Sequence, residues 1–514
     1  MDSSSSSSAP PRWLSTWLGL LAPLYPISVL AVLNLRQLTL LTLPARWLLA
    51  AYALSQQLPA LLAPDPLLAS GLALARTTLL LGMISVGVSL TRSEAIRPLG
   101  FGLAAVIVTA LAFSTQNGLD ILTSRLTHPY MTSNSIGMAS ALGLFLALFT
   151  PGNTRAQQWA RWGLGGLALL ALLLTGSRGA LAAAFLGTLV GVALQGQRRV
   201  ILGALLGAAL LGGGTFLGER SGIVSLTRIG TADTTGRDLV WANTLSIIQA
   251  HPWGGVGTFQ LGRALMPGTC SLFEAADGSR TPCPDWLASL GQPWIIAHNL
   301  TLHQLAETGP LGTLGLLTLV IVGLLMALWR RDALAGAVLS GLLLATVNDN
   351  TLLLPSPFFA EAFWVLIGVQ LRHWTPVTPA RATSAALLAP ALTVGVSLPV
   401  LGQWRPTTPQ VTDAQLAFLS APHRATTGVY TAYARVTAQP GPYRLTLRSC
   451  QASCATVDTK FFWVDSSGGS LVILSGSLRD GPQELTLALL PRAGGFQYRP
   501  LAQQTWTVQA KGQP

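Results

Sequence analysis

The residues of this chain that could do chemistry are few. They are Arg178 in TGSRGA, Arg237 at the start of GRDLVWANTLSIIQAHPWGGVGTF, and His298 in AHNLTLHQLAETGPLG. A guanidinium keeps its charge and offers a planar fork of donors that matches phosphate oxygens. An imidazole exchanges a proton near neutral pH. Two arginines and a histidine therefore suit a pyrophosphate substrate better than hydrolysis by a metal or a side-chain nucleophile. Asn299 adjoins the histidine, and Asp349, between Asn348 and Asn350, is a carboxylate close to an apolar run, where such a group is a functional candidate by default. Each residue also has a plainer reading. Arg178, between Gly176 and Gly179, reads alone as a snorkelling anchor, Arg237 as a solvated charge in a helical first turn capped by Thr234 or Thr235, and His298 as an interfacial polar anchor. Gly254, Gly255 and Gly257 follow Pro252 and shape a turn, which lacks the GK[ST] of a phosphate-binding loop. Glu307 lies about two and a half helical turns beyond His298, roughly on the opposite side, and reads as structural. The sequence has no HExxH, no paired CxxC and no serine elbow, and Cys450 and Cys454 have no partners at zinc spacing. No metal and no cofactor are expected.

These residues must be held by membrane helices. The chain has 514 residues, of which 50% are hydrophobic and only 10% charged, whereas soluble domains carry about 25% charged residues. Its mean hydropathy is +0.51. Apolar runs long enough to span fall at 14–34, 38–56, 67–90, 97–113, 134–150, 159–175, 179–195, 200–217, 309–329, 333–353, 357–371 and 383–403, so about twelve transmembrane helices are expected. Pro44 and Arg46 interrupt the second. The net charge of +12 is carried almost wholly by arginines set singly or in pairs between the runs. That pattern points to helix flanks and anionic lipid and excludes a nucleic-acid stripe. Five arginine-bearing connectors (Arg92 and Arg97; Arg155 and Arg161; Arg198 and Arg199; Arg330 and Arg331; Arg372 and Arg381) assign the cytoplasmic face. The opposite face then receives the long loop 218–297 and everything after 404. Cys270, Cys283, Cys450 and Cys454 all land there, where pairs 270–283 and 450–454 are plausible disulfides.

Residues 1–12 read as a disordered polar tail and the first apolar run as an uncleaved helix. Residues 13–403 form the expected membrane domain. Residues 404–514 change character: apolar residues alternate in VYTAYARV, YRLTL, FFWV, LVIL and ELTLALL between Pro/Gly turns, which predicts a soluble β-sandwich domain. Trp463, Tyr498 and Trp506 suit sugar stacking, although aromatics in a small sandwich more often belong to its core. The expected fold class is mainly α, a polytopic membrane protein with a long external loop and this C-terminal β-domain.

The three motifs, in this order, resemble the O-antigen ligase and polymerase superfamily over about 160–370. The segment NDNTLLLPSPFFAEAFWVLIG is similar to the corresponding part of bacterial protein O-oligosaccharyltransferases. The resemblance implies a multi-pass protein of the bacterial inner membrane with its site on the extracytoplasmic side. Such proteins take a glycan from undecaprenyl pyrophosphate and pass it to an acceptor without metal or nucleotide sugar, inverting at the sugar. Carried over, Arg178 and Arg237 grip the pyrophosphate, and His298 orients or deprotonates the acceptor hydroxyl. Beside these three, Asn299 and Asp349 are further candidates for substrate binding, with Arg178 or Arg237 as the partner guessed for Asp349, and Gly254, Gly257 and Glu307 are read as structural support. The implied partners are the lipid-linked glycan donor, a glycolipid, protein or glycan acceptor, and membrane lipid, with no nucleic acid. A polymerase extending lipid-linked repeats is the alternative within this chemistry. A transporter or a non-catalytic glycan-binding envelope protein is the alternative outside it, but transporters gather polar groups at mid-membrane, whereas these motifs sit on one face.

Overall fold

The computed structural model describes residues 12–116, 125–196, 237–265, 271–274, 280–282, 295–347, 349–353 and 359–374, and in the C-terminal part 415–420, 424–425, 429–438, 441–451, 454–464, 469–478, 481–491 and 501–510. The expected spans 200–217 and 383–403, nearly all of the N-terminal tail, much of loop 218–297, Cys270, Cys283, Thr234, Thr235, Asn348 and Tyr498 lie outside the described residues.

Among the described residues, three segments are long and apolar enough to cross a membrane: Pro66–Ser89, Ser93–Gln116 and Leu300–Trp329. The sequence divides the chain more generously than the structure does. The expected first span, 14–34, is a ten-residue helix α1 (Arg12–Leu21) followed by a 3-10 stretch, Tyr25–Leu40. Pro23 and Pro26 explain the break, since proline removes a ladder donor and clashes with the preceding turn. Helix α2 (Leu43–Ala60) carries Pro44 in its first turn, where proline is tolerated. The helices that follow are α3 (Pro66–Ser89), α4 (Leu99–Gln116), α5 (Ser133–Phe149), α6 (Arg155–Thr175), α7 (Arg178–Leu194), α8 (Arg237–Ala250), α9 (Leu261–Leu265), α10 (Leu300–Trp329), α11 (Ala333–Ala345) and α12 (Phe359–Arg372). Helix α11 is much shorter than the expected 333–353: its 13 residues reach about 20 Å, and the carbonyls of Thr346 and Val347 beyond it accept from Leu300 N–H and the Asn299 side chain at the start of α10.

Small residues fix how these helices cross. Gly87 of α3 lies against α12 so closely that a Cβ there would meet the Val365 carbonyl oxygen at 1.9 Å, and one on Gly368 would meet Ile84 O at 2.1 Å. Helices α7 and α11 run antiparallel: a Cβ on Gly187 would meet Ala337 O at 2.5 Å, and one on Gly341 would meet Ala183 O at 2.7 Å. One apolar cluster joins α1 through α7 to α10, α11 and α12, with Trp364, Phe363, Phe145 and Met83 fully buried in it.

In the C-terminal part, five strands pair in the order β4 (Arg424–Ala425), β10 (Ala502–Ala510), β9 (Gly481–Pro491), β6 (Gly441–Cys450) and β7 (Cys454–Val464). Three more pair as β3 (Gln415–Ser420), β5 (Val429–Thr437) and β8 (Gly469–Ser477). The period-two alternation sends Leu445 and Leu447, Leu485, Leu487 and Leu489, and Val472 and Leu474 into one shared apolar cluster with Tyr430 and Val508. Trp506 of the larger sheet donates its indole N–H to the Tyr430 hydroxyl of the smaller one at 3.0 Å, so this aromatic packs against the core. Cys450 is disulfide-bonded, and Cys454 stands opposite it in the β6–β7 register. A short hairpin, β1 (Ser271–Glu274) with β2 (Arg280–Pro282), lies in the 218–297 loop.

Candidate active site

His298 stands just ahead of α10. Its neighbour Asn299 is the N-cap, accepting from Leu302 N–H at 3.0 Å. The Asn299 side chain also donates to the Val347 carbonyl at 3.0 Å, and Leu300 N–H donates to Thr346 O at 3.0 Å. These bonds stitch the start of α10 to the turn after α11. That turn brings Asp349 to His298, with Oδ1 3.5 Å from Nδ1. Asp349 also accepts from Asn350 N–H at 2.9 Å. His298 is 39% exposed and Asp349 21%, so the pair is open on one side. His298 has φ +51°, a left-handed backbone that costs a non-glycine residue about 1–3 kcal/mol and is kept only where its surroundings impose it.

Beneath this pair lies a buried ionic cluster that the sequence does not announce. Arg76, midway along α3, donates to Glu307 Oε2 at 2.6 Å, and the two side chains are 5% and 1% exposed. Glu307 Oε1 lies 3.2 Å from His303 Nε2, one turn earlier on α10. His303 Nδ1 accepts the Ala297 backbone N–H at 3.3 Å. The Arg76 guanidinium lies 4.0 Å from the centroid of the Phe259 ring. The turn 251–259 closes over these groups: Val256 N–H donates to Ala306 O at 2.8 Å, and Gly257 N–H to Glu307 O at 3.0 Å. A Cβ on Gly254 would meet Leu62 Cβ at 2.6 Å, and one on Gly257 would meet Ala69 Cβ at 2.8 Å. The glycines let the turn wedge between α2, α3 and α10, and these two backbone donors are spent on α10. Nearby, Gln304 donates to both Gln56 Oε1 and Thr308 Oγ1.

The arginines arrive by helix packing. Helix α6 ends at Gly176 in the left-handed cap conformation, φ +55°, and α7 begins at once with Arg178, which is half-buried. Ala183 lies against Gly341 and Gly187 against Ala337, so Arg178 is level with Ala345–Thr346, the end of α11 that receives Leu300 N–H. Arg125 braces the same corner: its Nε donates to Thr175 O at 2.6 Å and its NH2 to Asn134 Oδ1 at 3.4 Å. Arg237 is half-buried in the first turn of α8. One turn on, Val240 and Trp241 pack on the cluster that contains Ile248, Ala297, Leu302 and Ala306. Side-chain contact thus joins His298 to Asp349, while backbone packing carries Arg178 and Arg237 toward the same end of α10. Among the described residues no group of three or more His, Cys, Asp or Glu side chains is arranged to hold a metal ion.

Arg76, His303 and Arg125 are absent from the sequence-derived site. Arg76 had a legible signal, being the sole charge within Pro66–Ser89, where an ionised group demands a partner. His303 sits four residues before Glu307, on the same helical face. Arg125 has no such signal, since the Thr175 carbonyl that it meets lies 50 positions away.

The helices, the apolar spans and a polar site gathered at one end define an integral membrane protein. Residues 163–317 match a family model described as O-Antigen ligase. The match begins in α6 and ends in α10, and it includes Arg178, Arg237, Gly254, Gly257, His298, Asn299 and Glu307. Over this segment, less than a third of its length, the chain is similar to the O-antigen ligase family. No curated protein matches the chain.

Proposed function

We propose that this protein transfers a glycan from undecaprenyl pyrophosphate to an acceptor hydroxyl on the outer face of the bacterial inner membrane. The observation that carries the reading is the open His298–Asp349 pair, at the cap of α10, inside or beside the ligase-family segment. Asp349, whose Oδ1 lies 3.5 Å from Nδ1, favours a proton on that nitrogen and leaves the Nε2 lone pair of His298 to orient the acceptor O–H or take its proton. The acceptor oxygen then bonds to the anomeric carbon as the bond from that carbon to the pyrophosphate oxygen breaks. The configuration inverts, and the electron pair leaves on the pyrophosphate. Arg178 and Arg237 bind that anion and offset the charge growing on it. Asn299 and Asp349 hold the histidine, and the reaction as written draws on no metal or cofactor. The wider architecture belongs to the same proposal: about twelve spans over 13–403, the loop 218–297 and a β-sandwich domain over 404–514 outside the membrane.

The test is complementation of a deletion strain with wild type, His298→Ala, Arg178→Ala or Arg237→Ala, blotting for lipid-linked precursor and finished conjugate. Wild type should restore conjugate, and each inserted variant should accumulate precursor without it. Normal conjugate from all three variants would sink the reading. Loss of laddered lipid-linked glycan, instead of the conjugate alone, would convert it to polymerisation.

A further inference from the structure

We infer that Arg76, Glu307 and His303 form a relay that positions His298. His303 is the link, and its two ring nitrogens have different tasks. Nδ1 lies 3.3 Å from the Ala297 backbone nitrogen, which is a donor, so Nδ1 must be the acceptor. Nε2 then carries the hydrogen and gives it to Glu307 Oε1, 3.2 Å away. Glu307 is fixed in turn by Arg76 at 2.6 Å. A neutral imidazole with hydrogen on Nε2 is the form that serves both neighbours, and the ionised Glu307 selects it. The chain of contacts ends on the amide immediately before His298.

The residue so held is one that needs holding. His298 has a left-handed backbone at φ +51°, which a free chain rarely keeps at a non-glycine residue. On its C-terminal side the backbone is pinned by Leu300 N–H to Thr346 O and by the Asn299 cap. On its N-terminal side the pin is His303. With both in place the imidazole faces Asp349. Without the second, residue 298 can relax toward an ordinary extended conformation and carry its ring away from the carboxylate. His303 is thus a positioning residue, as are Glu307 and Arg76 behind it. The inference rests on His298 being the group that handles the acceptor.

Two substitutions separate the two nitrogens. The amide of asparagine reaches about as far as Nδ1, so His303→Asn retains an acceptor for Ala297 N–H and loses the bond to Glu307. The amide of glutamine reaches about as far as Nε2, so His303→Gln retains the donor to Glu307 and loses the acceptor. The full chain is reconstituted in liposomes and fused with membranes from the deletion strain, which supply both donor and acceptor. Because a small misplacement of a reacting group costs about 10²-fold, His303→Gln should lose about that much in kcat with donor KM unchanged, and His303→Asn should stay within about threefold of wild type. Thermal stability should rank the other way, since depriving a buried carboxylate of a donor costs more than leaving one backbone amide unmet. Amide exchange over 295–300 should quicken in His303→Gln alone, a readout independent of transfer. Activity that follows stability, or exchange unchanged in His303→Gln, overturns the positioning role. Full transfer by His298→Ala overturns instead the reading of the site on which it rests.

Discussion

Replacing Gly309 by alanine should damage this protein far more than its one added methyl suggests. Gly309 has φ +60° and ψ −168° inside α10, directly before Pro310, in a region of backbone space that essentially only glycine enters. Forcing alanine there costs about 1–3 kcal/mol. The new Cβ would also lie 2.0 Å from the Trp253 carbonyl oxygen and 2.7 Å from its carbon. Both are backbone atoms, so no rotamer change relieves the overlap, and overpacking of this kind adds about 1–3 kcal/mol. The expected loss is the sum, about 2–6 kcal/mol, much of the stability of an ordinary domain. The damage should spread to the turn 251–259, because moving Trp253 strains the bonds from Val256 and Gly257 to α10. The control is Gly166→Ala in α6, where a Cβ meets nothing within 4 Å and alanine should gain about 0.5–1 kcal/mol. Thermal unfolding of the purified full chain in nanodiscs measures both. If Gly309→Ala melts within a degree or two of Gly166→Ala, the account of the α10 break is wrong.

Other expectations follow from the same contacts. Arg76→Met and Glu307→Leu should each destabilise by about 3–5 kcal/mol, because each strands a buried charge, and the double variant should be more stable than either; a double variant no better than the worse single one in the same melting assay contradicts this. His128 is 6% exposed, its Nε2 is buried without a partner, and burial lowers its pKa below the usual 6.5. The unfolded chain therefore takes up this proton first, so the contribution of neutral His128 is complete above about pH 6.5 and declines as pH falls below it. His128→Leu should flatten the melting temperature between about pH 7.5 and 5, and an unchanged slope refutes the assignment.

How much of this was legible depends on how far apart the partners lie. His298, Asn299 and the GGVG turn announce themselves in short motifs, and the structure sets all of them around the start of α10. The His298–Asp349 pair was half legible: each residue stood out, but their meeting depends on the chain reversing after α11, which ends eight residues before the apolar run does. Glu307 lies about two turns into α10, and its side chain meets Arg76 and His303. Its partner Arg76 lies 231 positions away, and no local pattern joins such residues. The span limits suffered from the converse problem. Hydropathy integrates over a window, so it reads through Pro23 and Pro26 and through the turn after Ala345, where the backbone does not continue as helix.

The bare glycine crossing of α3 and α12 has a mechanical consequence. Where two helices touch main chain to main chain, no side chain lies between them to change rotamer and admit sliding or rolling. Helix α3, and Arg76 with it, is held against α12 by that contact. The break at Gly309 is fixed in the same way, against the Trp253 carbonyl of the 251–259 turn. Glu307, bonded through its side chain to Arg76 of α3 and through its backbone carbonyl to Gly257 of the turn, lies where the crossing and the turn meet.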